Sequence, residues 1–431
     1  MSKLINKLTP SNYLQFFQIA RYGGLFLSGV LLAKCGVSIP VIGQYEFILF
    51  ISGLLSFFWM GGIFQTLFSE FHQQENPNNF LEKTIGTVTT LSLTSALLAL
   101  IYLQLLDHKN SFSCTTIIAT TIYLFLNTVT FFNENFYLLK ERYKQLTLYA
   151  IGNFCIQVLA VLLTIIMNPT IENFSLALLF ISIWKSVILL YNLKSEKIKI
   201  SLTLYKPLLK MSSPLIAGIL ISGSADYIDS FMVIHFFGNE SFAIFKYGAK
   251  EFPLSLLLAN SLSMAMIPTL SRSEKLQESL KDLKVQSSRL MSILFPITWL
   301  FLLLSHWIYP FIFNEHFSQS ASIFNIYLLL IISRMIFPQT VLLAMQRRET
   351  ILNTAYWEII INVISSYLFM LKFGIIGIAY GTVIAFLSEK LLLAYQLKKL
   401  NTDFQSYTNT ARWFLFVIIT ILTYIFVENF L

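Results

Sequence analysis

Long runs of apolar residues, separated by short polar breaks, follow one another along almost the whole chain. A run of about 20 apolar residues is long enough to cross a hydrocarbon core of roughly 30 Å as an α-helix. Reading these runs against breaks of charge, Pro, Gly and Asn predicts twelve spans: 13–34, 41–68, 84–106, 115–139, 145–167, 173–193, 208–235, 240–267, 287–310, 318–345, 350–371 and 375–397. A shorter run at 413–427 predicts a thirteenth. The pattern therefore predicts an all-α polytopic membrane protein.

The composition agrees with this pattern. Hydrophobic residues make up 56% of the 431 residues and charged residues only 12%, whereas a soluble protein of this size needs a more charged surface. The net charge of +8 is spread over short loops and forms no compact basic domain. This distribution argues against a nucleic-acid partner and is typical of a protein whose loops meet a lipid bilayer.

The basic residues predict the orientation of the spans. With the N-terminus in the cytoplasm, three basic residues, Lys34, Lys109 and Lys372, fall on the outer side. Twenty fall on the cytoplasmic side: Lys3, Lys7, Lys83, Lys140, Arg142, Lys144, Lys194, Lys197, Lys199, Lys206, Lys210, Arg272, Lys275, Lys281, Lys284, Arg289, Arg347, Arg348, Lys398 and Lys399. Such an asymmetry marks the cytoplasmic face. One miscounted span would exchange the sides of all later loops and remove the asymmetry, so the asymmetry also supports the number of spans.

The longest polar break divides the chain into two similar halves. It predicts an N-terminal six-helix bundle at 1–193, a cytoplasmic linker at 194–207, a C-terminal six-helix bundle at 208–400 and an extra helix at 401–431. Because six is even, both halves enter the membrane in the same direction, as in transporters built from parallel repeats. We therefore expect two bundles around a central cavity.

Many ionisable residues lie inside the predicted spans, where each costs about 2.5–3.5 kcal/mol on insertion scales. They are Arg21, Glu46, Glu134, Lys185, Asp226, Asp229, Lys246, Lys250, Glu251, Arg334, Glu358, Glu389 and Lys390. A bundle that faced only lipid could not carry so many charges. Their number predicts a hydrated interior.

The deepest cations are candidate ligands for an anionic substrate. Arg21, Lys250 and Arg334 lie well inside their spans, and Lys246 would share a helical face with Lys250 at the i,i+4 spacing. The planar guanidinium of arginine binds phosphate oxygens with two parallel hydrogen bonds. For Lys185 and Lys390 the sequence also allows a simpler reading, in which the side chain extends to the cytoplasmic interface.

The carboxylates have two possible roles. Asp226 and Asp229, on one face at the i,i+3 spacing, could bind a coupling proton or sodium ion or could pair with Lys246 and Lys250. Glu46 could act in the interior or lie at the outer interface. Glu358 is a further candidate for ion coupling or a salt bridge. The adjacent Glu389 and Lys390 read as an interfacial pair near the cytoplasmic end of span twelve.

Motifs of other function classes do not occur in the sequence. It contains no P-loop, no nucleotide-binding glycine pattern and no zinc-type pair of histidines, and its three cysteines form no metal pattern. We expect no cofactor, no metal, no direct use of ATP and no catalytic residues. An enzyme that builds polysaccharide would need a carboxylate or histidine cluster beside a sizeable outer loop, and the predicted outer loops are short.

Three stretches of sequence resemble one transporter family. Spans seven and eight contain SADYID at 224–229, FGNE at 237–240 and IFKYGAK at 244–250. Ile267-Pro268 stands before Ser271-Arg272 at the exit of span eight, and FGIIGIA at 373–379 opens span twelve. These stretches resemble polysaccharide flippases of the O-antigen (Wzx-like) type, in the multidrug/oligosaccharidyl-lipid/polysaccharide (MOP) exporter superfamily.

The resemblance implies a function. It implies transport of an undecaprenyl-pyrophosphate-linked oligosaccharide, for O-antigen, capsule or exopolysaccharide, from the inner to the outer leaflet of the bacterial cytoplasmic membrane. In that family, cations on spans one, two, seven and eight line a central cavity; Arg21 and Lys250 match these locations, as does Lys246, whereas span two offers Glu46. The alternatives are a cation-coupled drug antiporter of the same superfamily, a flippase for a cell-wall precursor, and a membrane polymerase or transferase.

Overall fold

The computed structural model describes residues 10–105, 112–200, 202–271 and 276–430, and these ranges are built of helices. Within them, ten helices are long and apolar enough to cross a membrane, or up to twelve if each bent pair is one span. The all-α polytopic prediction is confirmed, while the count of twelve plus one stays a prediction. Outside the described residues lie Lys3, Lys7, Lys109, Arg272 and Lys275, together with the side chain of Asp226.

The chain divides into two compact units, and unit 1 is Met1–Leu220. Its helices are α1 (Pro10–Lys34), α2 (Ile39–Leu54), α3 (Phe57–Glu70), α4 (Pro77–Leu105), α5 (Cys114–Thr130), α6 (Phe132–Leu139), α7 (Tyr143–Met167), α8 (Ile171–Ser195) and the start of α9 (Lys206–Gly248). Helix α1 packs along α7, and α5 packs against both α4 and α8. Side chains such as Ile63, Leu67, Phe132 and Phe136 are fully buried and form its core.

The predicted second span, 41–68, is broken in the middle. Helices α2 and α3 meet at an angle of 46°, where the Ser56 hydroxyl donates to the Ser52 carbonyl at 2.5 Å. Such bonds from serine back to the preceding turn bend helices. The Leu55 carbonyl at the bend accepts hydrogen bonds from Ser95 Oγ at 2.9 Å and Trp59 Nε1 at 2.8 Å. The break is therefore stable in an apolar setting, because neighbouring side chains satisfy the backbone.

Unit 2 is Ile221–Leu431. It contains the rest of α9, then α10 (Pro253–Leu270), α11 (Leu276–Ile312), α12 (Ser318–Leu328), α13 (Ile331–Arg334), α14 (Pro338–Ala344), α15 (Arg348–Phe373), α16 (Ile375–Lys399), α17 (Phe404–Tyr407) and α18 (Thr410–Phe430). Gly238 interrupts α9 with a φ of 79°, a value that glycine adopts without steric cost. This position agrees with the predicted break between spans seven and eight.

The predicted eighth span, 240–267, is not one continuous helix. Helix α9 ends at Gly248 and α10 begins at Pro253. The last carbonyls of α9 accept from side chains of unit 2: Tyr309 Oη donates to the Tyr247 carbonyl at 3.0 Å, and Ser320 Oγ donates to the Ile244 carbonyl at 2.7 Å. Transporters place discontinuous helices of this kind at substrate and ion sites.

The predicted tenth span, 318–345, is divided into α12, α13 and α14. Pro338 opens α14, where its missing N–H removes no helical hydrogen bond. Residues 335–337 between α13 and α14 are buried. The prediction of a single helix here is wrong, because the apolar pattern alone does not distinguish a continuous helix from buried short ones.

Helices α15 and α16 form a closely packed pair. A Cβ at Gly377 would collide with the backbone of Phe369 and Met370, and a Cβ at Gly381 would collide with the backbone of Ser366. These two glycines, four residues apart on α16, therefore form a small-xxx-small surface that lets the two helices pack closely.

Gly381→Ala should therefore destabilise unit 2. Overpacking of this kind typically costs about 1–3 kcal/mol, and thermal unfolding in detergent would measure it. Gly152→Ala is the matched control, because a Cβ at this glycine of α7 meets nothing within 4 Å. It should be neutral or stabilising by roughly 0.5–1 kcal/mol, the usual gain over glycine in a helix. Equal stability of the two variants would contradict the close packing.

Helix α18 is fixed along α11 by polar contacts. Arg412 donates to Ser292 Oγ at 3.1 Å, and Trp299 Nε1 donates to Thr420 Oγ1 at 2.8 Å. Further along, His306 Nε2 lies 3.5 Å from a carboxylate oxygen of Glu428. Residue numbers rise together on both helices, so α18 runs parallel to α11. The paired stretch of α11, 292–306, covers about 21 Å at 1.5 Å per residue.

Candidate functional site

Three charged side chains from three helices of unit 1 meet inside the predicted spans. The Arg21 guanidinium on α1 forms an ion pair with Glu134 on α6, with Nη1 and Oε2 3.1 Å apart. The Lys185 ammonium on α8 donates to Asn127 Oδ1 at 3.1 Å and interacts electrostatically with Glu134 and Arg21. We call Arg21, Glu134 and Lys185 the Arg21 cluster. With two basic side chains and one carboxylate, its formal charge is +1.

A network of buried side-chain amides holds the Arg21 cluster in place. Asn133, next to Glu134, donates to the Lys185 backbone carbonyl at 3.0 Å and accepts from Asn192 Nδ2 at 3.0 Å. Asn192 also donates to Tyr137 Oη at 2.9 Å. Because Asn133 and Asn192 are buried, these bonds form in a low-dielectric setting that strengthens them. The network fixes α6 against α8. Lys185 therefore has partners inside the protein and does not need to extend to the cytoplasmic interface.

In unit 2, the break between α9 and α10 carries the two lysines predicted for span eight. Lys246 lies in the last turn of α9, with its ammonium 5.7 Å from the centre of the Phe242 ring. Lys250 is exposed and lies beyond the end of the helix, with its ammonium 5.3 Å from the Tyr247 ring centre. The prediction that these lysines share one helical face is wrong, because the helix ends at Gly248. Their role in substrate binding stays a prediction.

Arg334 forms a two-pronged ion pair with Glu251 in the same break. Its Nε lies 2.7 Å from Oε1 and its Nη2 lies 2.9 Å from Oε2, and its guanidinium lies 4.8 Å from the Phe386 ring centre. Glu389 and Glu358 add further electrostatic attraction. These contacts tie α13 to the break. They favour a structural role for Arg334, and its assignment to the substrate stays a prediction.

Glu389 and Lys390 form a buried pair. The Lys390 ammonium lies 2.7 Å from Glu389 Oε2 and donates to Gln339 Oε1 at 3.0 Å. Each side chain is only 8% exposed. The expectation that Lys390 extends to the interface, in an interfacial pair, is wrong. A neighbouring carboxylate and amide supply the partners that water would otherwise give.

Asp229 on α9 is fully buried among polar groups of α15 and α16. Ser366 Oγ donates to its Oδ1 at 3.4 Å, and Thr382 Oγ1 donates to its Oδ2. Asn362 lies one turn from Ser366 on α15 and is fully buried; neither its Nδ2 nor its Oδ1 has a partner among the described residues. We call Asp229, Asn362, Ser366 and Thr382 the Asp229 site.

The Asp229 site gathers oxygen atoms suited to a small cation or a proton. A hydroxyl that donates to a carboxylate can rotate and offer a lone pair to a cation, and hard cations prefer such oxygen ligands. Within the described ranges, no group of three or more His, Cys, Asp and Glu side chains could hold a metal ion. A single carboxylate with neutral oxygens fits a monovalent ion or a proton better than a divalent metal.

Sequence reasoning missed Asn362, Ser366 and Thr382. Their signal was available, because Asn362 and Ser366 are four residues apart and small polar residues are conspicuous on such apolar spans. The side chain of Asp226 lies outside the described residues. Glu46 on α2 and Glu358 on α15 are half-buried. The ion-coupling or pairing roles of all four predicted carboxylates, including the pairing of Asp226 and Asp229 with the two lysines, stay predictions.

A separate charged group lies in the loops of unit 1. Glu196, just after α8, accepts from Arg142 Nη2 at 2.5 Å and lies 3.4 Å from Lys140 Nζ. Partial burial acts to raise the pKa of Glu196, but the hydrogen bonds and charges of Arg142 and Lys140 outweigh it and hold that pKa below its usual range. This carboxylate therefore stabilises the packing of the α6–α7 turn against the end of α8.

Glu196→Gln should lower thermal stability at pH 7 by up to about 1 kcal/mol, the range for partly exposed pairs. Because the folded-state pKa of Glu196 is lowered, its stabilisation is present above the unfolded pKa and is lost as the pH falls through the folded one. The difference between wild type and variant should thus begin to shrink below about pH 4.3, the unfolded value, and should disappear once the pH is below the folded pKa. Glu141→Gln, in the same turn, should show no such dependence. A difference that persists at low pH would contradict this assignment.

This protein is a multi-pass membrane protein whose fold is similar to that of several solved membrane transporters. The chain is similar to the lipid II flippase MurJ in an inward closed conformation, with a TM-score of 0.67 and 17% identity over 97% of this chain and 98% of that one. It is similar to an outward-facing multidrug resistance MATE family transporter of the MOP superfamily, with a TM-score of 0.55 and 13% identity over 91% and 96%. The chain is also similar to a MOP superfamily transporter from Pyrococcus furiosus, described as having a binding pocket of reverse polarity. This match has a TM-score of 0.53 and 12% identity over 98% of both chains.

The family follows from the sequence. The model of a family described as polysaccharide biosynthesis protein matches residues 42–322, which is more than half of the chain. The chain therefore belongs to this polysaccharide biosynthesis protein family. A comparison with curated proteins finds no match. The predicted resemblance to polysaccharide transporters of the MOP superfamily is confirmed by the family and the fold together.

Proposed function

We propose that this protein is a flippase, not an enzyme, and that it moves an undecaprenyl-pyrophosphate-linked oligosaccharide from the cytoplasmic to the outer leaflet by alternating access. The observation that carries the proposal is the Arg21 cluster, an excess of positive charge inside the spans of a member of a polysaccharide biosynthesis family. A pyrophosphate cannot enter an apolar phase without compensating charge. Arg21 would supply such charge in unit 1, and Lys246 and Lys250, near the α9–α10 break, are the substrate ligands proposed in unit 2.

The proposed location is the bacterial cytoplasmic membrane, with the N-terminus in the cytoplasm. There the negative-inside potential favours outward movement of an anion by about 2.3 kcal/mol per charge per 100 mV. The Asp229 site would bind the coupling ion, either a proton or sodium. The proposed cargo is an O-antigen, capsule or exopolysaccharide repeat unit, a choice that agrees with a family described as polysaccharide biosynthesis protein.

A cation-coupled drug antiporter is the second candidate, and the buried carboxylate of the Asp229 site together with the likeness to MATE transporters favours it. An antiporter for cations should have carboxylates as its dominant charges. The Arg21 cluster, with its net positive charge, favours an anionic cargo instead. The likeness to MurJ keeps a lipid-linked cell-wall precursor as an alternative cargo.

A deletion strain tests the proposal in the cell. Its extracted lipids should contain a polyprenyl-linked glycan that accumulates on the inner leaflet. The wild-type gene and Lys194→Ala, an exposed lysine at the end of α8, should restore the normal pool, whereas Arg21→Ala and Lys250→Ala should not. An unchanged pool with loss of drug efflux would favour the antiporter. Accumulation on the outer leaflet would indicate a polymerase or transferase.

A further inference from the structure

Glu134 is a carboxylate to which the proposed flippase cycle has so far given no role. It lies in the first turn of α6, on the span that the family resemblance does not associate with substrate. Its side chain is 15% exposed, while that of its partner Arg21 is 36% exposed. The cation is thus the more accessible member of the pair, and the carboxylate lies behind it.

The Arg21–Glu134 ion pair is weak in geometry. Among the described residues it consists of one contact, between Nη1 and Oε2 at 3.1 Å, whereas Arg334 and Glu251 form two parallel hydrogen bonds. Arginine presents five N–H donors in a fork. The single contact leaves most of the Arg21 fork available to a second oxyanion. The guanidinium keeps its position because it also lies 4.9 Å from the centre of the Phe131 ring.

Lys185 gives the same place a second cation. Its ammonium donates to Asn127 and its backbone carbonyl accepts from Asn133 of the amide network, and the ammonium interacts electrostatically with the same carboxylate as Arg21. The other titratable group that interacts with Glu134 is the Tyr149 hydroxyl on α7. One cation in contact with the carboxylate and a second that attracts it from farther away form an anion site that already contains an anion of the protein.

We propose that Glu134 is an exchangeable counter-ion, whose place beside Arg21 and Lys185 is taken by the diphosphate of the lipid-linked substrate. This inference rests on the proposed flippase function and adds two residues, Glu134 and Lys185, to its substrate site. A diphosphate binds guanidinium with two parallel hydrogen bonds and carries more charge than one carboxylate. Substrate would therefore displace Glu134, and Glu134 would displace the substrate again at release. Without substrate, the carboxylate prevents two unpaired cations from standing inside the spans.

Glu134→Gln tests this exchange, because it keeps the shape of the side chain and removes its charge. Purified protein should bind geranylgeranyl diphosphate at least about tenfold more tightly than wild type, equivalent to roughly 1.4 kcal/mol. Binding of uncharged geranylgeraniol should not change. Flipping by the variant should nevertheless be slower, because no carboxylate then replaces the diphosphate beside Arg21 when the substrate is released. Damage to the fold alone would weaken binding as well as transport.

Two further variants complete the test. Glu172→Gln, a carboxylate in the first turn of α8, is the matched control and should bind the diphosphate like wild type. Lys185→Gln should bind it at least about tenfold more weakly, and this variant decides the question if Glu134→Gln does not fold.

Three results would overturn the inference. Unchanged or weaker diphosphate binding by Glu134→Gln would exclude the exchange, as would unchanged binding by Lys185→Gln; the flippase function would stand if wild type still prefers the diphosphate to the alcohol. If wild-type protein shows no such preference, the proposed function fails and the inference fails with it.

Discussion

Asp229→Asn should abolish the ion dependence of transport and leave the protein folded. Asparagine keeps the size of the side chain and an oxygen that can accept from Ser366 and Thr382, so the local packing survives. It removes the negative charge that a proton or sodium ion would neutralise. Because burying a charge carries a desolvation cost that the neutral amide avoids, the variant should be as stable as wild type or more so.

The measurement is substrate movement in proteoliposomes with an imposed sodium or proton gradient. Wild type should respond to one of these gradients by roughly fivefold or more, the lower end of usual coupling free energies, and Asp229→Asn should not respond to either. Asp282→Asn, an exposed aspartate on α11, is the control and should behave like wild type. An undiminished response in Asp229→Asn would mean that the coupling ion binds at another site.

Arg334→Met should strongly destabilise unit 2, and Glu251→Met should do the same. Each variant leaves the other, largely buried charge without its main partner, and losses of this kind cost up to about 3–5 kcal/mol. The double variant, with both charges removed, should recover most of that stability, because well-packed apolar residues often replace a buried ion pair without loss. Thermal unfolding of the wild type, the two single variants and the double variant forms a double-mutant cycle. This cycle gives the interaction free energy between Arg334 and Glu251 directly.

The same cycle separates a structural role of Arg334 from a role in substrate binding. The contacts with Glu251 predict that the double variant regains transport together with stability. A double variant that is stable but inactive would assign Arg334 to the substrate. The partly exposed pair of Arg142 and Glu196 provides a scale for comparison, since the loss of such a pair costs about 0–1 kcal/mol.

The positions of the helices could be predicted from the sequence because lipid requires long apolar segments. The predicted spans 145–167 and 173–193 lie within α7 and α8. Pro253 and Pro338 mark in the sequence where α10 and α14 begin, but the non-helical stretches before them and the break in span two could not be predicted. They depend on partners distant in sequence, such as Ser95 for the Leu55 carbonyl and Tyr309 for the Tyr247 carbonyl. No local pattern reports such partners.

The chemistry of the site was predictable only residue by residue. Arg21 and Asp229 could be chosen because a charge inside a span is expensive and therefore needs a reason. Their partners Glu134 and Thr382 lie more than a hundred residues away. Lys390 was expected at the interface because its position along its own span was the only guide. That position does not show which side chains of other helices lie beside it. Asn362 was overlooked because a buried neutral amide costs less than a buried charge and therefore stands out less among the apolar residues of a span.

The central claim, that this protein moves a polyprenyl-diphosphate-linked oligosaccharide across a bilayer, is tested most directly with purified protein in liposomes. The liposomes contain undecaprenyl-pyrophosphate-linked oligosaccharide, and an enzyme added outside cleaves only the sugars exposed on the outer leaflet. Wild-type protein should make nearly all of the oligosaccharide accessible, whereas Arg21→Ala and protein-free liposomes should stop at the fraction initially outside. Folded wild-type protein that stops at that same fraction would contradict the flippase account.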